Sequence, residues 1–317
     1  MNLHPMMEDD NRPKVATKPI ESLGDAILIA LEDGYRGIQI LGRSGDGKSY
    51  ASSYLSTHLQ WLKQPAPTCW VSIPRRTNGS DNVFYKVIQG ALKLSYHPGS
   101  AAIDRLGQIV SRISSDCQRA GSRRFILFID EAQRLSVDDY DYLANIDDAV
   151  GVDGFRLLCV LVNQSDDAKA FGKKWEARVN GMPPHVIRRF FMAEHTFRGL
   201  EGLSEIAHAL SRYDTAEHLG VTFSAFFGPG AYAVGWRLAS EASKFVAALN
   251  EIRQEAQLAG LSDLPMMIFE LAVKRLLVNV AGCKDTFKEF TQGEIKEAIL
   301  RAGYLKLEAS RQRQGRP

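Results

Sequence analysis

The chain has 317 residues, 45% of them hydrophobic and 24% charged, with a formal net charge of +2. That length accommodates one α/β domain of about 200 residues and a smaller second domain. The near-neutral balance excludes a uniformly basic nucleic-acid coat, so any contact with DNA must come from local patches.

Residues 1–19 read as a flexible arm, with Glu8, Asp9 and Asp10 where a secretory leader would be basic and then apolar. No apolar run reaches bilayer length, so the expectation is a cytoplasmic protein with no membrane partner. The four cysteines, Cys69, Cys117, Cys159 and Cys283, have no C-x-x-C spacing, which argues against a zinc site and a disulfide framework.

Ile20, Leu23, Ile27 and Leu31 recur at helical spacing until Asp33-Gly34 stops the helix. The apolar run Gly37 to Leu41 then leads into Gly42-Arg43-Ser44-Gly45-Asp46-Gly47-Lys48-Ser49, followed by Tyr50 on the next helix. Strand, glycine-rich loop and Lys-Ser at a helix start form a phosphate-binding P-loop. Its glycines turn consecutive N–H groups into one concavity, Lys48 reaches the β/γ-phosphates of ATP, and the Ser49 hydroxyl is offered to Mg2+. The helix start adds its positive end.

Thr68 to Ile73 reads as a second buried strand, closed by Pro74 and followed by the basic stretch Arg75-Arg76-Thr77. Helices are expected over Asp81 to Leu94 and Ala101 to Ala120, separated by Pro98-Gly99. The run Phe125 to Ile129 ends in Asp130-Glu131, about 80 residues after the P-loop. Two carboxylates at that strand end fit an Asp130 that holds Mg2+ and a Glu131 that activates the attacking water.

A fourth strand, Phe155 to Val162, ends at Asn163-Gln164, where either side chain could hold the water between the γ-phosphate and Glu131; Asn163 is the first choice. A fifth is expected over Phe190 to Thr196 after Arg188-Arg189, either of which could serve as an arginine finger toward a neighbouring subunit. Five strands too apolar to face water, alternating with helices, predict a parallel α/β sheet covered on both faces. The ATPase domain is assigned to 20–200.

Beyond Leu200 the pattern is helical, over Gly202 to Tyr213, Gly230 to Leu249, Leu264 to Val280 and Thr291 to Leu307, which gives a small helical lid domain over 201–309. Arg237, after Gly235-Trp236, is the candidate lid arginine for the nucleotide. Residues 310–317, with Arg311, Arg313 and Arg316, read as a flexible basic tail. Arg75, Arg76, Thr77 and Lys86, with Arg119 and Arg123 as a second cluster, are the candidates for contact with a DNA backbone, which needs cations and hydroxyls rather than a base-reading motif.

The P-loop together with Phe-Ile-Leu-Phe-Ile-Asp-Glu-Ala-Gln-Arg-Leu at Phe125 to Leu135 resembles the AAA+ ATPases of the TnsC/TniB type, which are related to MuB and more distantly to IstB. The resemblance covers about Leu23 to Leu249. It implies ATP-bound subunits that assemble as a ring or helical filament on double-stranded DNA. They would mark a target site with a target-selection protein, recruit the transposase, and disassemble on a slow, assembly-stimulated hydrolysis. A replication initiator or helicase loader shares the core but predicts a winged helix that the sequence does not signal. A nucleotide-switched signalling scaffold is the non-enzymatic alternative. A superfamily-two helicase is excluded because no second RecA-like domain follows.

Overall fold

In the computed structural model the described residues are 4–7, 14–76, 79–95, 97–164, 172–258, 263–284 and 286–314. They form two compact units: Ser22–Ser44 with Lys48–Phe197, and Met1–Glu21 with Gly45–Gly47 and Arg198–Pro317.

The first unit is built on β1 (Gly37–Gly42), β2 (Thr68–Ser72), β3 (Arg124–Asp130), β4 (Arg156–Gln164) and β5 (Ala193–Thr196), ordered β2-β3-β4-β1-β5. All four pairings are parallel. Every residue of β1 is buried, and β3 is buried from Phe125 to Asp130, because helices cover both faces of the sheet. The helices of this unit are most of α1 (Lys18–Glu32), then α2 (Lys48–Thr57), α3 (Asp81–Ala91), α4 (Ala102–Ala120), α5 (Val137–Val152), α6 (Lys173–Asn180) and α7 (Pro184–Phe190). Gly121 ends α4 in the left-handed conformation at φ 62°, which costs glycine little. Ser136 caps α5 by accepting the Asp139 N–H, while the Asp139 carboxylate accepts the Ser136 N–H.

The expected five-stranded parallel sheet is therefore present, with one boundary corrected. The fifth strand starts at Ala193; Arg188, Arg189 and Phe190 lie in the last turn of α7. The Phe190 backbone approaches β1 so closely that a Cβ on Gly37 would sit 2.8 Å from the Phe190 Cα. The apolar Phe190 and Phe191 are thus used as helix and turn packing rather than as strand.

The second unit is mainly helical, with α8 (Gly202–Thr215), α9 (Phe223–Phe227), α10 (Pro229–Ala233), α11 (Ala242–Glu255), α12 (Met266–Arg275), α13 (Gln292–Arg301) and α14 (Tyr304–Gln314). Two two-residue antiparallel pairings also occur, β6 (Leu200–Glu201) with β9 (Asp263–Leu264) and β7 (Glu217–His218) with β8 (Val221–Thr222). Phe245, Phe269, Phe290 and Tyr304 are fully buried in its core.

Two helices expected to be continuous are broken. The stretch from Gly230 to Leu249 divides at Gly235, φ 102°, and the Asp214 carboxylate accepts the N–H groups of Leu238 and Ala239 to start a new 3-10 turn. Thr291 to Leu307 divides at Gly303, φ 91°. Neither expected tail is loose along its described length. Met6 and Val15 belong to the second unit's core, His4 and Thr17 are buried, and Ser310 and Arg311 lie inside α14 with Arg311 buried. Among the described residues no helix is long and apolar enough to cross a membrane.

Candidate nucleotide site

The loop after β1 has the backbone that its glycines permit. Gly45 and Gly47 sit at φ 82° and 103°, a region that L side chains rarely adopt. Gly42 is equally constrained, since a Cβ there would collide with the Phe197 carbonyl. Lys48 opens α2 and is almost fully buried; its Nζ donates to the carbonyls of Gly42 at 2.6 Å and Arg43 at 2.8 Å. The ammonium is thereby folded back over the loop whose phosphates it would meet.

Asp130 ends β3, two strands away from β1. Its carboxylate accepts the Ser49 hydroxyl and, at 3.0 Å, the Glu131 N–H. Burial pushes the Asp130 carboxyl above its usual range, and the Ser49 hydrogen bond opposes this. The Ser49–Asp130 pair is a hydroxyl and a carboxylate beside a phosphate loop, which is the oxygen donor set that Mg2+ takes along with phosphate oxygens. Among the described residues no group of three or more His, Cys, Asp or Glu could hold a metal without such help.

Glu131 is left-handed at φ 57°, one of a few non-glycine residues to be so. Its carboxylate is held at 2.8 Å by both Arg134 and the Gln133 side-chain amide. Arg134 also donates to the Ile73 carbonyl at 2.7 Å, and Arg178 on α6 braces the same turn through the carbonyls of Ala132, Gln133 and Leu135. Gln133, Arg134 and Arg178 were not singled out from the sequence. The signal available there was the Ala-Gln-Arg that follows Asp-Glu, read from the sequence only as part of the resemblance.

Asn163 pairs with Leu41 across β4 and β1, one residue before the loop begins. It is buried, and its Nδ2 donates to Gln39 Oε1 at 2.7 Å and to the Leu161 carbonyl at 2.9 Å. Gln39, itself inside β1, donates to the Phe190 carbonyl at 2.8 Å, so a polar pair crosses the sheet beneath the loop. Gln164 is exposed, and its N–H is accepted by Gln133. The structure thus brings Lys48, Ser49, Asp130, Glu131 and Asn163 to the carboxyl ends of three adjacent strands.

The arginine candidates are placed otherwise. Arg188 is exposed on α7, and Arg189 donates to Asp148 at 2.8 and 3.0 Å and to the Ala144 carbonyl. Arg237 lies in an extended turn, not in a helix. Its guanidinium stacks 3.7 Å over the Tyr232 ring and donates to the carbonyls of Tyr232 and Trp236.

Of the basic candidates, Arg75 and Lys86 are exposed, and Thr77 lies outside the described residues. Arg76 faces inward, bonded to the fully buried Asp139 at 2.5 Å and lying 5.7 Å from the Phe84 ring centroid. Arg119 pairs with Asp116, and Arg123 is exposed at the amino end of β3, on the rim of a cavity of about 560 Å³ that Lys63 and Arg124 also line.

No protein-family model matches the chain. No curated protein matches it in sequence either. Among solved structures it is similar to the Aeropyrum pernix ORC2 protein in its ADPNP–ADP complexes, with 14% identity over 98% of this chain and 89% of that one and a TM-score of 0.44. AMPPCP-bound DnaA from Aquifex aeolicus has 12% identity over 92% and 82%, with a TM-score of 0.37. Thermotoga maritima RuvB has 13% over 92% and 91%, with a TM-score of 0.34. These are likenesses of chain path; the fold is read from the sheet order and the loop.

Proposed function

We propose that the protein is an AAA+ ATPase that assembles on double-stranded DNA in its ATP state and regulates transposition by marking a target site and engaging the transposase. The observation that carries the nucleotide half is the convergence of Lys48, the Ser49–Asp130 pair and Glu131 at the carboxyl ends of neighbouring parallel strands. The DNA and transposition half rests on the resemblance of Phe125 to Leu135 to the TnsC/TniB group and on the exposed cations Arg75, Lys86 and Arg123.

In this reading the loop N–H groups and Lys48 hold the β/γ-phosphates, and Glu131 takes the proton of the water that attacks the γ-phosphorus as the bond to the ADP oxygen breaks. Mg2+, held through Ser49 and Asp130, supplies charge neutralisation on the phosphate oxygens. Asn163, fixed by Gln39, stands ready to hold that water. An arginine of a second copy, with Arg188 the exposed candidate, completes the site on assembly.

The test is electron microscopy of the protein with duplex DNA, with ATP, with a non-hydrolysable analogue and without nucleotide. The expected result is nucleotide-dependent rings or filaments on DNA that persist longest with the analogue or in Glu131→Gln. An ATPase whose turnover and assembly ignore DNA overturns the DNA half and leaves the nucleotide half standing.

A further inference from the structure

Asp46 is an electrostatic oddity: it puts a carboxylate in the crown of a loop built to receive polyphosphate, just before Gly47-Lys48. Gly45–Gly47 group by their contacts with the second unit, and within that unit Asp46 is almost fully buried. Arg311 on α14 donates to Asp46 Oδ1 at 2.5 Å and, through its other terminal nitrogen, to Glu308 at 2.7 Å.

The contact does not stand alone. A Cβ on Gly45 would lie 3.0 Å from Leu307, one turn before Arg311, and the Met267 N–H at the start of α12 donates to the Gly45 carbonyl at 3.2 Å. The helix that carries Leu307 and Arg311 is itself anchored. Tyr304 is fully buried, and its hydroxyl accepts from Arg253, which also donates to the Asp263 carbonyl. Two residues of the crown, Gly45 and Asp46, are thus held by a side chain, a backbone N–H and an ion pair from one packed body.

We infer that Arg311 is a positioning residue of the nucleotide site: it offsets the Asp46 charge and, with Leu307, fixes the crown in its phosphate-accepting shape. This rests on the nucleotide-binding reading above. A carboxylate stripped of its guanidinium would face the phosphates as a like charge in a poorly solvated place. Arg311 touches no reacting atom; it acts through Asp46.

The experiment is a double-mutant cycle read by the Kd of a fluorescent ATP analogue, well below the melting temperature of each variant. Arg311→Ala is expected to raise Kd about tenfold or more, the order set by a unit charge within several ångströms of phosphate at an effective dielectric of about 20. Arg311→Lys should recover part of this. In an Asp46→Asn background the same Arg311→Ala change should cost less than about threefold, because the loop's own carboxylate is gone and only Glu308, on α14 itself, still loses its guanidinium. An equal loss in both backgrounds, or no loss in either, overturns the inference. If Arg311→Ala does not fold, Arg311→Lys and Arg311→Gln in the two backgrounds give the same comparison. Absence of nucleotide binding in the unsubstituted protein would instead remove the nucleotide reading, a failure visible before any variant is made.

Discussion

The guanidinium of Arg76 lies 2.5 Å from the carboxylate of Asp139, and the pair is buried between the end of β2 and the start of α5. In sequence, Arg75 and Arg76 look like two equivalent cations on a loop. In the structure one is exposed and the other neutralises an acid that also caps a helix.

The two arginines should therefore separate by assay. Arg76→Ala leaves Asp139 buried without its cation, and should cost about 3 kcal/mol or more in chemical denaturation. Arg75→Ala should change stability by less than about 0.5 kcal/mol. On the proposed DNA role, Arg75→Ala should also lower the salt slope of duplex binding by about one. Equal stability losses from the two changes would show that the Asp139 pair does not form.

Glu131 is the second place where geometry separates roles. Glu131→Gln keeps the side-chain length but removes the base, so turnover should fall about 10²- to 10⁴-fold while the Kd for ATP moves by less than about threefold. Lys48→Ala should do the opposite, raising Kd strongly. Single-turnover hydrolysis and equilibrium binding measured on both variants check this. A Glu131→Gln protein that turns over at the parent rate removes Glu131 as the base.

What was legible in the sequence follows from how local each signal is. β1, β3 and β4 announce themselves because strands buried on both faces must be continuously apolar, and the loop residues are contiguous. The partners of Arg76, Asn163 and Asp46 were not legible, since they lie 63, 124 and 265 residues away along the chain. The helix breaks at Gly235 and Gly303 were missed because the apolar spacing runs straight through them, and the decision is made by a positive φ and by the Asp214 cap, not by periodicity. Arg188 and Arg189 were placed at a strand start because Phe190 and Phe191 read as strand, whereas both rings pack with Tyr140.

The thiols offer a check on the buried sheet. Burial pushes Cys69 and Cys117 up to about 11 and Cys159 well above its ordinary value, while Cys283 is exposed. The thiolate is the reactive form, so three of the four cysteines should resist a thiol reagent at pH 8. Titration of the native protein should modify Cys283 within minutes and the other three at the rate of unfolding. Mass spectrometry that finds Cys159 labelled as fast as Cys283 would contradict the packing of β4.

Acid should act on the second unit through His4. Its ring is buried against Phe223, Phe226 and Phe227, with centroids 4.8, 4.4 and 4.8 Å away, and against His218 at 5.2 Å. Burial first, and the neighbouring His218 second, bring its pKa down to about 4. The unfolded chain takes up this proton near pH 6.5, so between about pH 6.5 and 4 the unfolded state holds more protons and acidification weakens the fold. Below about pH 4 both states are protonated and this contribution stops growing. Asp130, raised by burial, has the opposite sign, so the comparison must be between variants rather than between pH values of one protein. His4→Phe should flatten the fall of melting temperature between pH 6.5 and 4 and change it little at pH 8. A parallel acid slope in parent and variant would mean that His4 titrates as freely in the folded protein as in the unfolded chain.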